Sequence, residues 1–117
     1  MGSSWDSLVV EAEDPARLAR WWAEALGYHV VSEQPDEVEI RHSPDGLPSL
    51  VFVPTPEAKH ARNRLHIGLR PTDREAEVER LVNMGARYVE VGESAQADWT
   101  VLADPEGNEF CVLAAHD

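Results

Sequence analysis

One arrangement constrains this chain more than any other: it is met twice along 117 residues. The first copy opens on Ser7 to Ala12, where Leu8, Val10 and Ala12 fall on one face of a strand and Ser7, Val9 and Glu11 on the other. Asp14-Pro15 then signals a helix, because Asp caps the free N–H groups and Pro is tolerated in the first turn. Leu18, Trp21, Trp22, Ala25 and Leu26 recur at helical spacing. Two adjacent tryptophans cannot face one core contact equally, so the spacing predicts at least one in the core and leaves a sheet edge or dimer interface open to the other. Gly27 is a natural stop. Three short strands are expected next, over Tyr28 to Ser32, Val38 to Arg41 and Leu50 to Val53, with the turn formers Ser43-Pro44-Asp45-Gly46 before the last.

The second copy starts at Arg64 to Leu69, with Leu65, Ile67 and Leu69 on one face and His66 and Gly68 on the other. Thr72 with Glu75 fits a capping box, and Asp73 is the alternative cap. Val78, Leu81 and Val82 form the apolar stripe, and Gly85 closes the helix. Strands follow at Arg87 to Val91, Trp99 to Ala103 and Phe110 to Leu113, with Asp104-Pro105-Glu106-Gly107-Asn108 as the last turn. Asp14 and Asp73 lie 59 residues apart, and Gly27 and Gly85 lie 58 apart. A repeat at this period marks two copies of one supersecondary unit.

The expected fold is therefore α+β: two βαβββ modules forming curved mixed sheets around a shared cleft, with the helices outside. Module one spans about residues 5–54, a linker 55–63 and module two about 64–115, in a single domain. The linker holds two prolines and gathers Lys59, His60, Arg62 and Arg64 in an otherwise acidic chain. It reads either as a solvated connector or as a cationic rim over a pocket for an acidic ligand.

Charge and composition exclude several classes. The net charge of −12 and pI near 4.7 oppose binding to nucleic acid or to an anionic membrane. No apolar run approaches the ~20 residues that span a bilayer. Met1-Gly2-Ser3-Ser4 lacks the basic and apolar regions of a signal peptide, and Cys111 has no partner for an intrachain disulfide. A cytoplasmic location is expected. No phosphate loop, nucleotide fingerprint, Ser–His–Asp motif or paired-cysteine motif is visible.

A few residues carry chemistry. His66 can donate, accept and titrate near neutrality. Glu11, mid-strand among apolar neighbours, would make a partly desolvated general base or else an exposed strand carboxylate. Cys111 would be nucleophilic if a cation stabilised its thiolate, with His66 the obvious neighbour, and otherwise an inert small hydrophobe. Glu109 shares a strand face with Cys111. Trp99 and Trp5 could stack flat ligands.

Three stretches resemble the vicinal oxygen chelate superfamily of glyoxalases, bleomycin-resistance proteins and dioxygenases, especially its short actinobacterial glyoxalase-like branch. They are Glu13 to Trp22 with Leu26-Gly27-Tyr28, then Asn63 to Ile67, then Asp98 to Cys111. In metal-using members, a divalent ion is held by His, Gln or Glu from the first and fourth strand of each module. Carried onto this chain, the resemblance places Ser7 and His66 at the two first-strand positions. It places no carboxylate in Ser49 to Val53, and Cys111 where the last carboxylate is expected. Only His66 is a conventional ligand; Cys111 or Glu109 could join it, and Glu11 could supply oxygen.

The resemblance implies a metal-independent protein that binds or sequesters a largely apolar or aromatic small molecule in the inter-module cleft. The expected ligand-binding residues are His66, Trp99, Ser7, Val9, Glu109 and Cys111. The alternative is a small lyase, isomerase or dioxygenase in which His66 is a metal ligand, or in which His66 or Glu11 is a general base. A third reading is an interaction module whose cleft is filled by its own side chains. Family members often pair modules across two chains, so a homodimer is expected.

Overall fold

The computed structural model describes residues 2–61, 63–89 and 99–115. Contacts divide the chain into two compact units, Met1–Ala58 and Lys59–Asp117. The expected linker ends at residue 63, but its last residues from Lys59 onward belong with the second unit.

The first unit holds β1 (Ser7–Ala12), α1 (Pro15–Leu26), β2 (His29–Gln34), β3 (Glu37–Arg41) and β4 (Ser49–Pro54). The strands form one mixed sheet in the order β1-β4-β3-β2. The register explains the sequence alternation. Leu8 pairs with Leu50 and Val10 with Phe52 in the parallel β1–β4 ladder. Val38 pairs with Phe52 and Ile40 with Leu50 in the antiparallel β3–β4 ladder. These residues share the face against which α1 packs, and Val38, Ile40 and Phe52 are fully buried there. Burying each such side chain contributes about 1.5–3 kcal/mol.

Helix α1 begins where Asp14 Oδ1 accepts from the Arg17 N–H at 3.2 Å. It ends at Gly27, whose φ of 71° lies in the left-handed region that a side chain disfavours. Trp21 and Trp22 are both buried, with ring centroids 5.1 Å apart in an edge-to-face arrangement. The expectation of at least one core tryptophan is met by both, and neither is left at an exposed edge. The helix buries a broad arc from Leu18 to Ala25 against a four-stranded sheet, and that arc accommodates two neighbouring rings.

The second unit repeats the plan with β5 (Ile67–Leu69), α2 (Arg74–Asn83), β6 (Arg87–Tyr88), β7 (Trp99–Ala103) and β8 (Glu109–Leu113), ordered β5-β8-β7-β6. Phe110 and Val112 on β8, Leu102 on β7, and Val78 and Leu81 on α2 form its core. Asp73, the alternative cap, is the one used: its Oδ1 accepts from the Ala76 N–H at 3.1 Å. Met84 follows α2 with helical φ and ψ, and Gly85 takes the positive φ one residue later.

Two expectations change here. The opening strand is shorter than Arg64 to Leu69, and Leu65 is 79% exposed, outside the ladder. The strand expected at Arg87 to Val91 is described at Arg87–Tyr88; Glu90 and Val91 lie outside the described residues, as do Arg62 and Asp98. The turn after β7 is built on Asp104, which is fully buried. Its Oδ1 accepts from the backbone N–H groups of Glu106 and Asn108, at 2.9 and 3.0 Å. Gly107 has φ 90°, the conformation that lets the turn close.

Candidate functional site

The chemistry-bearing side chains of the second unit gather on the sheet face opposite its apolar core. The register sets this. Gly68 pairs with Cys111 across β5 and β8, while Val101 pairs with Cys111, Ala103 with Glu109 and Trp99 with Leu113 across β7 and β8. Because side chains alternate along a strand, Trp99, Val101, Glu109, Cys111 and Leu113 share one face. Trp99 is diagonal to Cys111 and 40% exposed.

Glu109 is the most constrained member, with 7% of its surface exposed. One carboxylate oxygen, Oε2, lies 2.7 Å from Lys59 Nζ. The other, Oε1, accepts from the Asn63 backbone N–H at 2.7 Å. The Asn63 side-chain amide donates to the Glu109 carbonyl at 3.4 Å. Lys59 Nζ also donates to the Ala61 carbonyl. The lysine stem passes over the last turn: a Cβ added at Gly107 would stand 3.9 Å from Lys59 Cδ. Burial alone would raise the Glu109 pKa. The hydrogen bonds from Lys59 and Asn63, with the charges of Lys59 and His66, outweigh it and hold the carboxyl below its ordinary range.

Lys59 and Asn63 are thus strapped to β8. The strap brings His66, three residues beyond Asn63, against the strand, and His66 Nδ1 lies 3.7 Å from Cys111 Sγ. His66 is exposed and Cys111 half-buried. Desolvation raises the Cys111 pKa, so the thiol keeps its proton at rest.

In the first unit, the equivalent face carries Ser7, Val9 and Glu11 on β1, with Ser49 and Val51 on β4. Val9 and Glu11 are exposed. The partly desolvated Glu11 envisaged as a base is therefore not found; the carboxylate stands on the exposed strand face. Glu39 and Arg41 on β3 pair with each other across this face, at 2.8 Å. Trp5 precedes β1, is 65% exposed and donates its indole N–H to the Ser7 carbonyl at 3.1 Å.

The two β1-like ladders can be superposed by register: Val9–Val51 in one unit corresponds to Gly68–Cys111 in the other. Val51 thereby takes the place that Cys111 takes in module two. The divalent ion held by metal-using members of the resembled superfamily does not fit this donor set. In the first unit Ser7 and Val51 offer one hydroxyl and hydrocarbon; in the second His66 and Cys111 offer one imidazole and one thiol. Both Glu109 oxygens are already engaged. Among the described residues, no group of three or more His, Cys, Asp or Glu side chains could hold a metal ion.

Sequence reasoning paired His66 with Cys111 and put Glu109 beside them. It missed Lys59 and Asn63 as the partners of Glu109. The only available signal was the presence of a cation and an amide in the connector.

Two four-stranded mixed sheets, each carrying one helix in a repeated βαβββ order, define a glyoxalase-like fold. Residues 7–113 match the family model of the glyoxalase-like domain, and the chain belongs to that family. Among solved structures, a glyoxalase/bleomycin resistance protein/dioxygenase family enzyme from Burkholderia phytofirmans is 13% identical with a TM-score of 0.72, covering 95% of this chain and 98% of that one. The bleomycin-binding protein of Streptomyces verticillus, complexed with copper(II)-bleomycin, is 22% identical with a TM-score of 0.64, covering 99% of each chain. Glyoxalase I of Leishmania major, described as trypanothione-dependent, is 17% identical with a TM-score of 0.72, covering 97% and 87%. At these identities the likeness shows the fold. No curated protein matches the chain. Among the described residues, no helix is long and apolar enough to cross a membrane.

Proposed function

We propose that this protein binds or sequesters a small, largely apolar or aromatic molecule without a metal ion. The observation that carries this is the state of Glu109. The carboxylate two residues before Cys111, on the same face of β8, is neutralised by the chain's own Lys59 and capped by Asn63. A divalent ion would have to displace an internal ammonium to use it. What the face leaves for a ligand is an indole at Trp99, the hydrocarbon of Leu113 and the His66–Cys111 pair. Trp99 supplies stacking area, and His66 can donate or accept one hydrogen bond. The bleomycin-binding neighbour supports a binding role on this scaffold, and Ser7 and Val9 remain candidate ligand-binding residues on the first unit's own sheet face. We read the protein as a cytoplasmic homodimer that takes a small organic ligand.

The test is metal content by mass spectrometry after loading with Mn, Fe, Co, Ni and Zn in turn. Sub-stoichiometric metal in every case agrees with the proposal. One ion per chain, lost in His66→Ala, contradicts it and points to the metal-using lyase, isomerase or dioxygenase alternative.

A further inference from the structure

We propose that Cys111 and His66 act as a nucleophile and base that capture an electrophilic conjugated carbonyl compound, an enone or quinone, by thiol addition. The inference rests on the binding face proposed above and names the ligand class it takes. Four observations converge on it. Cys111 Sγ and His66 Nδ1 stand 3.7 Å apart. His66 is exposed and Cys111 half-buried, so a small molecule can reach the pair. Trp99 lies diagonal to Cys111 on the same sheet face and offers a flat conjugated ring a stacking surface. Finally, Glu109 anchors Asn63, three residues before His66, and so acts as the positioning residue for the pair.

The thiol is protonated at rest, so it needs a base at the moment of attack. In the step, the Sγ–H proton passes to His66 Nδ1 and the sulfur electron pair forms a bond to the β-carbon. The carbon–carbon π bond breaks, and its electrons move onto the carbonyl as an enolate. The enolate oxygen then takes the proton back from the imidazolium. No oxidant or co-reactant is consumed; a quinone ends as a hydroquinone thioether once the C–H bond at the sulfur-bearing carbon breaks and its proton passes, through water, to the second carbonyl oxygen. The neutral resting thiol also limits reaction with weak electrophiles, because the thiolate is the reactive form.

The experiment follows adduct formation with 1,4-naphthoquinone at neutral pH by intact mass, for the wild-type chain, Cys111→Ser, His66→Ala and His66→Gln. The proposal expects one quinone added per chain, none in Cys111→Ser, and a rate about 100-fold lower in both His66 variants. Equal rates in wild type and both His66 variants overturn it, as does addition to Cys111→Ser at the wild-type rate. Circular dichroism of each variant establishes that the fold is kept. Quenching of tryptophan fluorescence by 1,4-dihydroxynaphthalene, which cannot accept a thiol, is measured on Cys111→Ser. Binding without His66-dependent addition overturns the capture reading alone; no binding and no addition overturns both readings.

Discussion

Lys59 Nζ lies 2.7 Å from Glu109 Oε2, across 50 residues of sequence, and this contact turns a stretch that reads as a connector into part of the second unit. The strap it secures carries His66 to Cys111. Glu109 is nearly enclosed and Lys59 is about one-fifth exposed, so the pair is partly desolvated. Glu109→Ala leaves the Asn63 N–H without its acceptor and Lys59 without its carboxylate, though the Ala61 carbonyl still accepts from the ammonium. The expected cost is about 2–3 kcal/mol, measured by urea denaturation. In a double-mutant cycle with Lys59→Met the two losses are expected to be non-additive, because each removes the same interaction.

The same carboxylate gives a pH dependence with a definite sign. Its pKa in the fold is below the ordinary value, which in the unfolded chain is about 4.3. The unfolded state therefore binds the proton more readily. The stabilisation is fully present above that unfolded value and is lost as pH falls through the folded value. Glu39, held down by Arg41 against its own desolvation, and Glu77, held down chiefly by its hydrogen bond from Arg80, act in the same direction. Melting temperature followed from pH 7 to pH 3 should fall, and Glu109→Gln should show a shallower fall than wild type. An unchanged slope in that variant would remove Glu109 from the account.

Asp104 organises the last turn through two backbone N–H groups and the Asn108 side chain, all from a fully buried position. Asp104→Ala orphans these donors and is expected to cost about 2–3 kcal/mol. Asp104→Asn keeps one acceptor oxygen and should cost less. Chemical denaturation of the two variants side by side checks the order.

At Gly27 the backbone has φ 71° and ψ 30°, and no atom lies within 4 Å of an added Cβ. Gly27→Ala therefore meets no neighbouring group, and its expected cost of about 1–2 kcal/mol is the strain of holding a Cβ in the left-handed region. Thermal unfolding measures it. A neutral result would show that the helix end relaxes out of the left-handed region.

Much of this architecture is legible because it is local. The caps at Asp14 and Asp73, the stop at Gly27 and the alternation of Leu8, Val10 and Ala12 are each set by neighbours a few residues away. The Cys111–His66 approach was within reach of sequence because the strand parity of both residues, and the repeat that aligns their strands, can be counted. Lys59–Glu109 was not, because an ion pair between a loop and a distant strand leaves no periodic trace. Leu65 was misplaced for the same reason. Docking of Asn63 on Glu109 decides where the chain enters β5, so the apolar alternation at Leu65 is overridden. Trp21 and Trp22 are a case that helix-face counting left open: it required at least one in the core, and the broad sheet takes both.

The central claim is that an organic molecule binds on the face bearing Trp99, His66 and Cys111. The most direct measurement is a titration of isotope-labelled protein with a panel of naphthols and dihydroxynaphthalenes, followed by amide and indole N–H chemical shifts. The account predicts saturable shifts at the Trp99 indole and at the His66 and Cys111 amides for at least some members of the panel. Absence of any shift across the panel, or shifts confined to Trp5 and other residues away from this face, would contradict it.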